Sequence, residues 1–294
     1  MARLSGPWQT DAQGSAGGEG VRGEPIEGQT EERPRIAAEA PNSVASRRLR
    51  LVTYNVRHCR GTDGRVAPKR VAQVIAVLEP DIVALQEVDV GRARTGGLDQ
   101  AEEIARLVGM FAHFHPALHI EEERYGDALL THLPSRLKRA DALPGLLQRP
   151  GLEPRGALWV EVTAGDVALQ VLTTHFGLLG AERIAQAEAL LGPDWLGDPA
   201  CRAPTVLLGD FNATGWSRAY RRLSRRLTDA RRLTGARRWR GGASFPSRFP
   251  LLRIDHVFVS ERVAVERIAV VDNALARQAS DHLPVLAEIR IGPG

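Results

Sequence analysis

The chain has 294 residues, 43% of them hydrophobic, with a formal net charge of +4. That apolar fraction supports a sizeable core, and the length suits one large α/β domain. Two distant cysteines, Cys59 and Cys201, exclude a disulfide framework and a cysteine metal site, and no apolar run is long enough for a signal-peptide core or a bilayer span. The expectation is therefore a soluble, cytoplasmic protein without a transmembrane segment, acting as a monomer. The basic residues are almost all arginine, with Lys69 and Lys138 the only lysines; genome base composition can produce that bias, so it is not read as function.

In chain order, residues 1–46 are rich in Gly, Glu, Gln, Pro and Ser and lack periodic apolar pattern. They are expected to form a disordered N-terminal extension, ahead of a catalytic domain over 47–294. Leu49 to Asn55 reads as a strand. Val66 to Leu78 reads as an amphipathic helix with Val71, Val74, Ile75 and Leu78 on one face. Asp81 to Val88 is a nearly continuous apolar run, as expected of a strand buried on both faces. A helix covers Ala101 to Val108 and stops at Gly109. Ala128 to Thr131, Arg155 to Thr163 and Val167 to Thr174 read as strands, the last two joined by a tight hairpin at Gly165-Asp166. A helix over Ala181 to Leu191, a strand over Thr205 to Leu208, a helix over Arg218 to Leu233, and strands over Ile254 to Val259 and Pro284 to Ile289 complete the pattern. Mixed strands and helices with several hairpins argue for two packed sheets flanked by helices, although periodicity alone also fits a parallel α/β fold.

The polar residues cluster at strand ends. Asn55 ends the first strand, Glu87 the second and His175 a third. Asp210 and Asn212 follow a fourth, Asp255 opens a fifth, and Asp281-His282 precede the last. Unpaired carboxylates at the rims of buried strands are costly, and a shared cation with a hydrogen-bond network would satisfy them. Hard oxygen ligands suit Mg²⁺ or Mn²⁺, and the lack of cysteine and paired-histidine ligands disfavours zinc. Such a set suits phosphoester hydrolysis. The metal draws charge from phosphoryl oxygens, a carboxylate orients water, and imidazole and amide donors stabilise the transition state.

The order Thr-Tyr-Asn55, Gln-Glu87-Val, Thr-His175-Phe, Gly-Asp210-Phe-Asn212, Ile-Asp255-His and Ser-Asp281-His282-Leu-Pro resembles the endonuclease/exonuclease/phosphatase superfamily. The resemblance runs from about residue 49 to 289. It implies an α+β (α/β) fold, a four-layer α/β/β/α sandwich of two packed mixed sheets flanked by helices, with the site at one rim. It implies that Glu87 is the main metal ligand, with Asn55 and Asp281 beside it, and that Asp210 orients or deprotonates the water. Asn212 matches the phosphate-binding amide, His282 the histidine on the scissile phosphate, Asp255 the carboxylate that polarises it, and His175 a second phosphate-side histidine. The abasic-site endonuclease branch usually lacks that second histidine, which weighs against dedicated abasic-site repair.

Other residues carry two readings. Asp210 and Asn212 could merely cap a helix, but within this constellation the chemical role prevails. Arg155, opening a strand, is a candidate phosphate contact, and Tyr125 a second substrate-side candidate. Both could also only pack. His256 reads as packing support, and His113, His115, His119 and His132 as surface or strand-packing histidines. Ten arginines between Arg218 and Arg240 either form a solvated face or a platform for an anionic partner, a nucleic-acid backbone or a lipid surface. Trp216 and Trp239 could serve it or lie in the core. The first expectation is a Mg²⁺-dependent hydrolase of a phosphodiester or of a small or lipid-derived phosphoester. The alternative is a DNA or RNA nuclease with the same centre, and a non-catalytic binding module ranks last.

Overall fold

The computed structural model describes residues 46–120, 123–202, 204–235 and 242–292. The expected N-terminal extension, Trp239, Arg237, Arg238 and Arg240 lie outside the described residues, apart from Ser46.

Twelve strands and six helices are found among the described residues. The first half of the chain holds β1 (Arg47–Asn55), α1 (Pro68–Leu78), β2 (Ile82–Val90), α2 (Gln100–Val108), β3 (Phe111–Ile120), β4 (Glu123–Thr131), β5 (Ser135–Leu143) and β6 (Arg155–Ala164). The second half holds β7 (Val167–His175), α3 (Gly180–Leu191), β8 (Thr205–Asp210), α4 (Arg218–Leu223), β9 (Thr228–Asp229), α5 (Ala230–Leu233), β10 (Asp255–Val259), β11 (Val263–Val270), α6 (Ala274–Ala279) and β12 (Val285–Ile291). They form two six-stranded sheets, ordered β11-β12-β1-β2-β4-β3 and β5-β6-β7-β8-β10-β9. Both are mixed: β1 runs parallel to β2, and β7 parallel to β8, while the other neighbours are antiparallel.

Side-chain alternation along the strands sorts the core into three layers. Leu49 and Leu51 of β1, Ile82 and Ala84 of β2, Val171 of β7, Val206 and Leu208 of β8 and Val257 of β10 face one another between the sheets. The intervening residues of the first sheet, Val52, Tyr54, Val83 and Leu85, pack under α1, α2 and α6. Those of the second, Leu172, Leu207, Phe211 and Phe258, pack under α3 and α4. The result is the expected α/β/β/α sandwich. Its central strands are apolar on both faces, which is why they read as continuous runs.

Two features depart from the sequence pattern. First, the stretch expected as one helix over Arg218–Leu233 divides into α4, a turn, β9 and α5. Its apolar face is correct, since Tyr220, Leu223, Leu227 and Ala230 are buried. The break comes from Asp229, which is drawn into the interior. Its Oδ2 accepts from Tyr220 Oη and Arg253 Nη2, both at 2.6 Å, and His256 Nδ1 lies 3.6 Å away. Second, β3, β5, β9 and β11 are strands beyond those expected from the sequence, although the Val- and Ile-rich Val263–Val270 carries a strand signal. They are the four sheet edges.

Candidate active site

The inward-facing residues of the sandwich turn polar at one end. Thr53 Oγ1 and Thr173 Oγ1, on opposite sheets, are joined through the buried amide of Gln86, each at 3.3 Å. One step further towards the rim, strand register sets His175 of β7 opposite Asp210 of β8, and Asp255 of β10 opposite the same Asp210. Adjacent strands lie about 4.8 Å apart, so three of the expected residues share one rung of the second sheet and project to the same face. Gly209 permits this spacing. Its φ is +152°, and a Cβ there would lie 2.0 Å from Thr174 O.

Glu87 reaches the same place by a different route. Alternation would send it outward with Val83 and Leu85. A bulge between Leu85 and Val88 in the β2–β4 pairing interrupts the alternation, and Glu87 takes φ +60°. Bulges re-aim side chains in this way. The re-aimed carboxylate accepts from Asn55 Nδ2 at 2.9 Å, and the same nitrogen donates to Asp210 Oδ2 at 3.0 Å. The Asn55 amide oxygen accepts from Arg57 N at 3.0 Å. That backbone N–H can only donate, so it fixes which end of the amide faces the carboxylates. Asn212 is also left-handed, at φ +45°. Such non-glycine positions cost on the order of 1–3 kcal/mol and persist where surrounding structure imposes them. Here Asn212 N donates to Asp210 Oδ1 at 2.8 Å, and its amide nitrogen donates to Phe176 O at 2.9 Å.

The two histidines are held in different charge states. His175 Nδ1 lies 2.9 Å from Arg155 Nη1. A guanidinium only donates, so Nδ1 accepts; Nε2 lies 3.1 Å from the Asn212 amide nitrogen and 3.4 Å from Asp210 Oδ2. Burial, then the charges of Arg155 and His282, hold His175 well below the usual histidine range, and hence neutral. His282 is the reverse. Burial opposes its charge, but Asp255 and Asp210 together push it up to about 10. Its Nδ1 donates to Asp255 Oδ2 at 2.9 Å, and its Nε2 lies 3.7 Å from Asp210. Burial, and next the Asp255 charge, raise the Asp210 carboxyl. Burial likewise raises Glu87, helped by Asp281 and opposed by Asn55 and His282.

Asp281 sits beside this group, paired with Arg57 Nε at 3.3 Å. Arg155 is buried and reaches His175 rather than open space. Tyr125 is buried beside Glu87, whose charge, after burial, raises the phenol; Arg94 stacks over its ring at 5.2 Å. His256 packs under the sheet against Phe211 and Tyr220, and its Nε2 lies 2.7 Å from Ala213 O. Three residues not singled out in the sequence join the site. Ser244 Oγ donates to Asp255 Oδ2 at 2.5 Å, and Ser280 Oγ donates to Asn55 O at 2.7 Å. Asp127, fully buried on β4, has its carboxyl raised well above the usual range by burial, against the pull of Arg155. The available signal for Asp127 was a lone carboxylate in register with the inward face of an apolar strand.

Asp210, Asp255 and His282 also offer atoms within 4.8 Å of one another, a spacing that could hold a metal ion. The side at Glu87 offers oxygen ligands, from Glu87 and Asp281, which suit a hard divalent ion.

The sequence profile of the Endonuclease/Exonuclease/phosphatase family matches residues 52–282. The Escherichia coli (strain K12) protein YbhP is 28% identical over 173 residues, 58% of this chain; the chain spans 64% of that relative's length. Among solved structures, an endonuclease/exonuclease/phosphatase from Beutenbergia cavernae aligns with a TM-score of 0.66 at 24% identity, covering 84% of this chain and 72% of that one. The mannosyl-6-phosphatase Bt3783 of Bacteroides thetaiotaomicron aligns with a TM-score of 0.63 at 20% identity, covering 82% and 99%.

Proposed function

The chain belongs to the Endonuclease/Exonuclease/phosphatase family, and from that premise we propose that it is a Mg²⁺-dependent hydrolase of a phosphodiester or of a small or lipid-derived phosphoester, with Mn²⁺ as the alternative ion. The observation that carries this reading is the single rung of His175, Asp210 and Asp255, with His282 on one side, 2.9 Å from Asp255, and Glu87 on the other, joined to Asp210 through Asn55.

The residues fit a hard divalent cation. The Glu87 carboxylate meets the charges of Asp281 and Glu153, both of which raise it. An all-oxygen acidic cluster of this kind selects Mg²⁺ or Mn²⁺ over zinc. Glu87 and Asp281 would hold the ion, while Asn55, expected as a third ligand, turns its NH2 to Glu87 and its oxygen to Arg57 N and so orients the carboxylate instead; the bound ion would withdraw charge from the phosphoryl and leaving oxygens. Asp210, anchored through both carboxylate oxygens, orients a water for in-line attack and takes its proton. The His282 imidazolium, held by Asp255, donates to the phosphoryl group. His175 and the Asn212 amide, 3.1 Å apart, form one polar edge on the phosphate side that is fixed before substrate arrives. Arg155 holds the His175 ring through Nδ1, and Tyr125 lines the wall beside Glu87.

A nuclease with the same centre is the second reading. It is favoured by the exposed arginines Arg218, Arg221, Arg225 and Arg226, which follow the Asp210 loop. The test is hydrolysis of bis(p-nitrophenyl) phosphate, a phosphomonoester, plasmid DNA, sphingomyelin and inositol phosphates, with and without Mg²⁺. Asp210→Asn is the control. Metal-dependent turnover of one class, absent in the variant, supports the assignment and selects the substrate; full activity of Asp210→Asn overturns it.

A further inference from the structure

Among the described residues, seven large apolar side chains are more than two-thirds exposed: Val77, Phe111, Leu147, Leu178, Trp216, Phe249 and Leu251. Their placement is not random. Val77 lies in the last turn of α1, and Phe111 opens β3 opposite Thr131, both at the end of the sandwich away from the site. The other five stand on the loops that leave the site end. Leu147 lies between β5 and β6, ahead of Arg155. Leu178 follows His175, Trp216 follows Asp210 and Asn212, and Phe249 and Leu251 precede Asp255. These five are between 68% and 95% exposed. The segment that carries the last two is fixed to the site itself. Phe249 N and Leu251 N donate to Pro246 O and Phe245 O, and the Phe245 ring packs on His282 at 4.7 Å.

Exposed arginines accompany these tips. Arg149 stands two residues after Leu147, Arg218 two after Trp216, and Arg248 one before Phe249; Arg221 and Arg225 continue the basic surface from α4. Apolar tips interleaved with cations match the two layers of an anionic bilayer surface, in which the tips enter the acyl boundary and the guanidinium groups meet headgroup phosphates. A single-stranded nucleic acid would instead favour flat rings for stacking, and three of the five tips are leucines. No helix among the described residues is long and apolar enough to cross a membrane, so the contact is peripheral.

We propose that this rim docks on an anionic lipid surface, so that the site takes its phosphoester from the headgroup layer. The inference rests on the catalytic centre lying at this rim, as proposed above. The test is co-sedimentation of the full chain with vesicles of phosphatidylcholine, alone and with added phosphatidylglycerol. The protein sediments with the anionic vesicles, and salt weakens the binding. Phe249→Ser with Leu251→Ser lowers binding about tenfold or more, and Arg218→Gln with Arg248→Gln lowers it about tenfold on the anionic vesicles. Both double variants keep the parent circular dichroism. Absent sedimentation, parent-like binding by both double variants, or a preference for duplex DNA that displaces the vesicles would each overturn the proposal. Hydrolysis of soluble bis(p-nitrophenyl) phosphate, measured on the same samples, separates the two claims. Vesicle binding without turnover of this or any other substrate of the panel above supports the docking surface and sinks the hydrolase reading; turnover without vesicle binding does the opposite.

Discussion

Replacing Asp255 with Asn removes the charge that keeps His282 in its acid form while preserving an oxygen to accept from its ring. The bond concerned is 2.9 Å long, and both partners are buried. A hydrogen bond to a charged group is worth about 1.5–3 kcal/mol, which corresponds to roughly 10- to 100-fold in turnover if the imidazolium acts in the transition state. Stability at neutral pH should fall, because a histidine pKa raised by Asp255 marks stabilisation that is present below about pH 10 and goes with its partner; relief of the Asp255–Asp210 repulsion offsets part of that loss. The pH dependence supplies a sign. With its pKa raised to about 10, His282 stays in the donating form through neutral pH and loses it as pH climbs through that value. In Asp255→Asn the pKa falls back towards the ordinary histidine value of about 6.5, so the alkaline loss of rate moves to lower pH. The assay is metal-dependent hydrolysis of bis(p-nitrophenyl) phosphate across pH, with thermal melting on the same protein. A variant with kcat within about twofold of the parent and an unmoved alkaline limb would refute the reasoning.

Three further outcomes are expected. Asp229→Asn should destabilise the protein by about 3 kcal/mol, because it leaves Arg253 without its buried counter-charge, as read by urea unfolding. Burial opposes the Asp229 charge, but His256 and Arg253 hold its pKa far below the usual range. Its contribution is therefore complete above about pH 4 and is lost as pH falls further, so the variant's acid unfolding curve should be shallower; an identical curve would count against the network. Gly209→Ala should lower the melting temperature sharply or prevent folding, since the new Cβ meets backbone rather than a movable side chain; a melting temperature equal to the parent's would contradict the close approach of β7 and β8. Cys59 and Cys201 are both buried, and burial raises both thiols, Cys201 to about 12. Iodoacetamide at pH 8 should leave the native protein unlabelled and label both only after unfolding; rapid labelling of either one in the native state would refute this.

How far the sequence reveals the fold depends on where each strand lies in its sheet. β1, β2, β7, β8 and β10 have neighbours on both sides and layers on both faces, so their residues are apolar throughout and the change to polar side chains marks the rim. Asn55, Glu87, His175, Asp210 and Asp255 are legible for that reason. The strands at the sheet edges are not. Ser135–Leu143 reads SRLKRADAL because an edge strand is covered on one side only, and nothing in local periodicity separates it from a loop. The division of the Arg218–Leu233 segment is invisible for a different reason: the partners that pull Asp229 inward, Arg253 and His256, come from a segment more than 20 residues later.

The same distinction explains what is legible at the site. Residue types and order identify Glu87 and Asn212, yet alternation alone would aim Glu87 away from the rung it joins. A bulge and a left-handed backbone correct its direction, and Asn212 too is left-handed. Both residues thus sit in conformations that their own side chains disfavour, Glu87 at the bulge within β2 and Asn212 just past the end of β8. Strain of this kind persists only where packing on both sides dictates it. The β2–β4 ladder holds Glu87, and hydrogen bonds to Asp210 and Phe176 hold Asn212. The catalytic reading therefore predicts that these two backbones are rigid before substrate binds, and that the arrangement of donors on the first and second sheets is set by the sandwich itself rather than by the exposed loops around it.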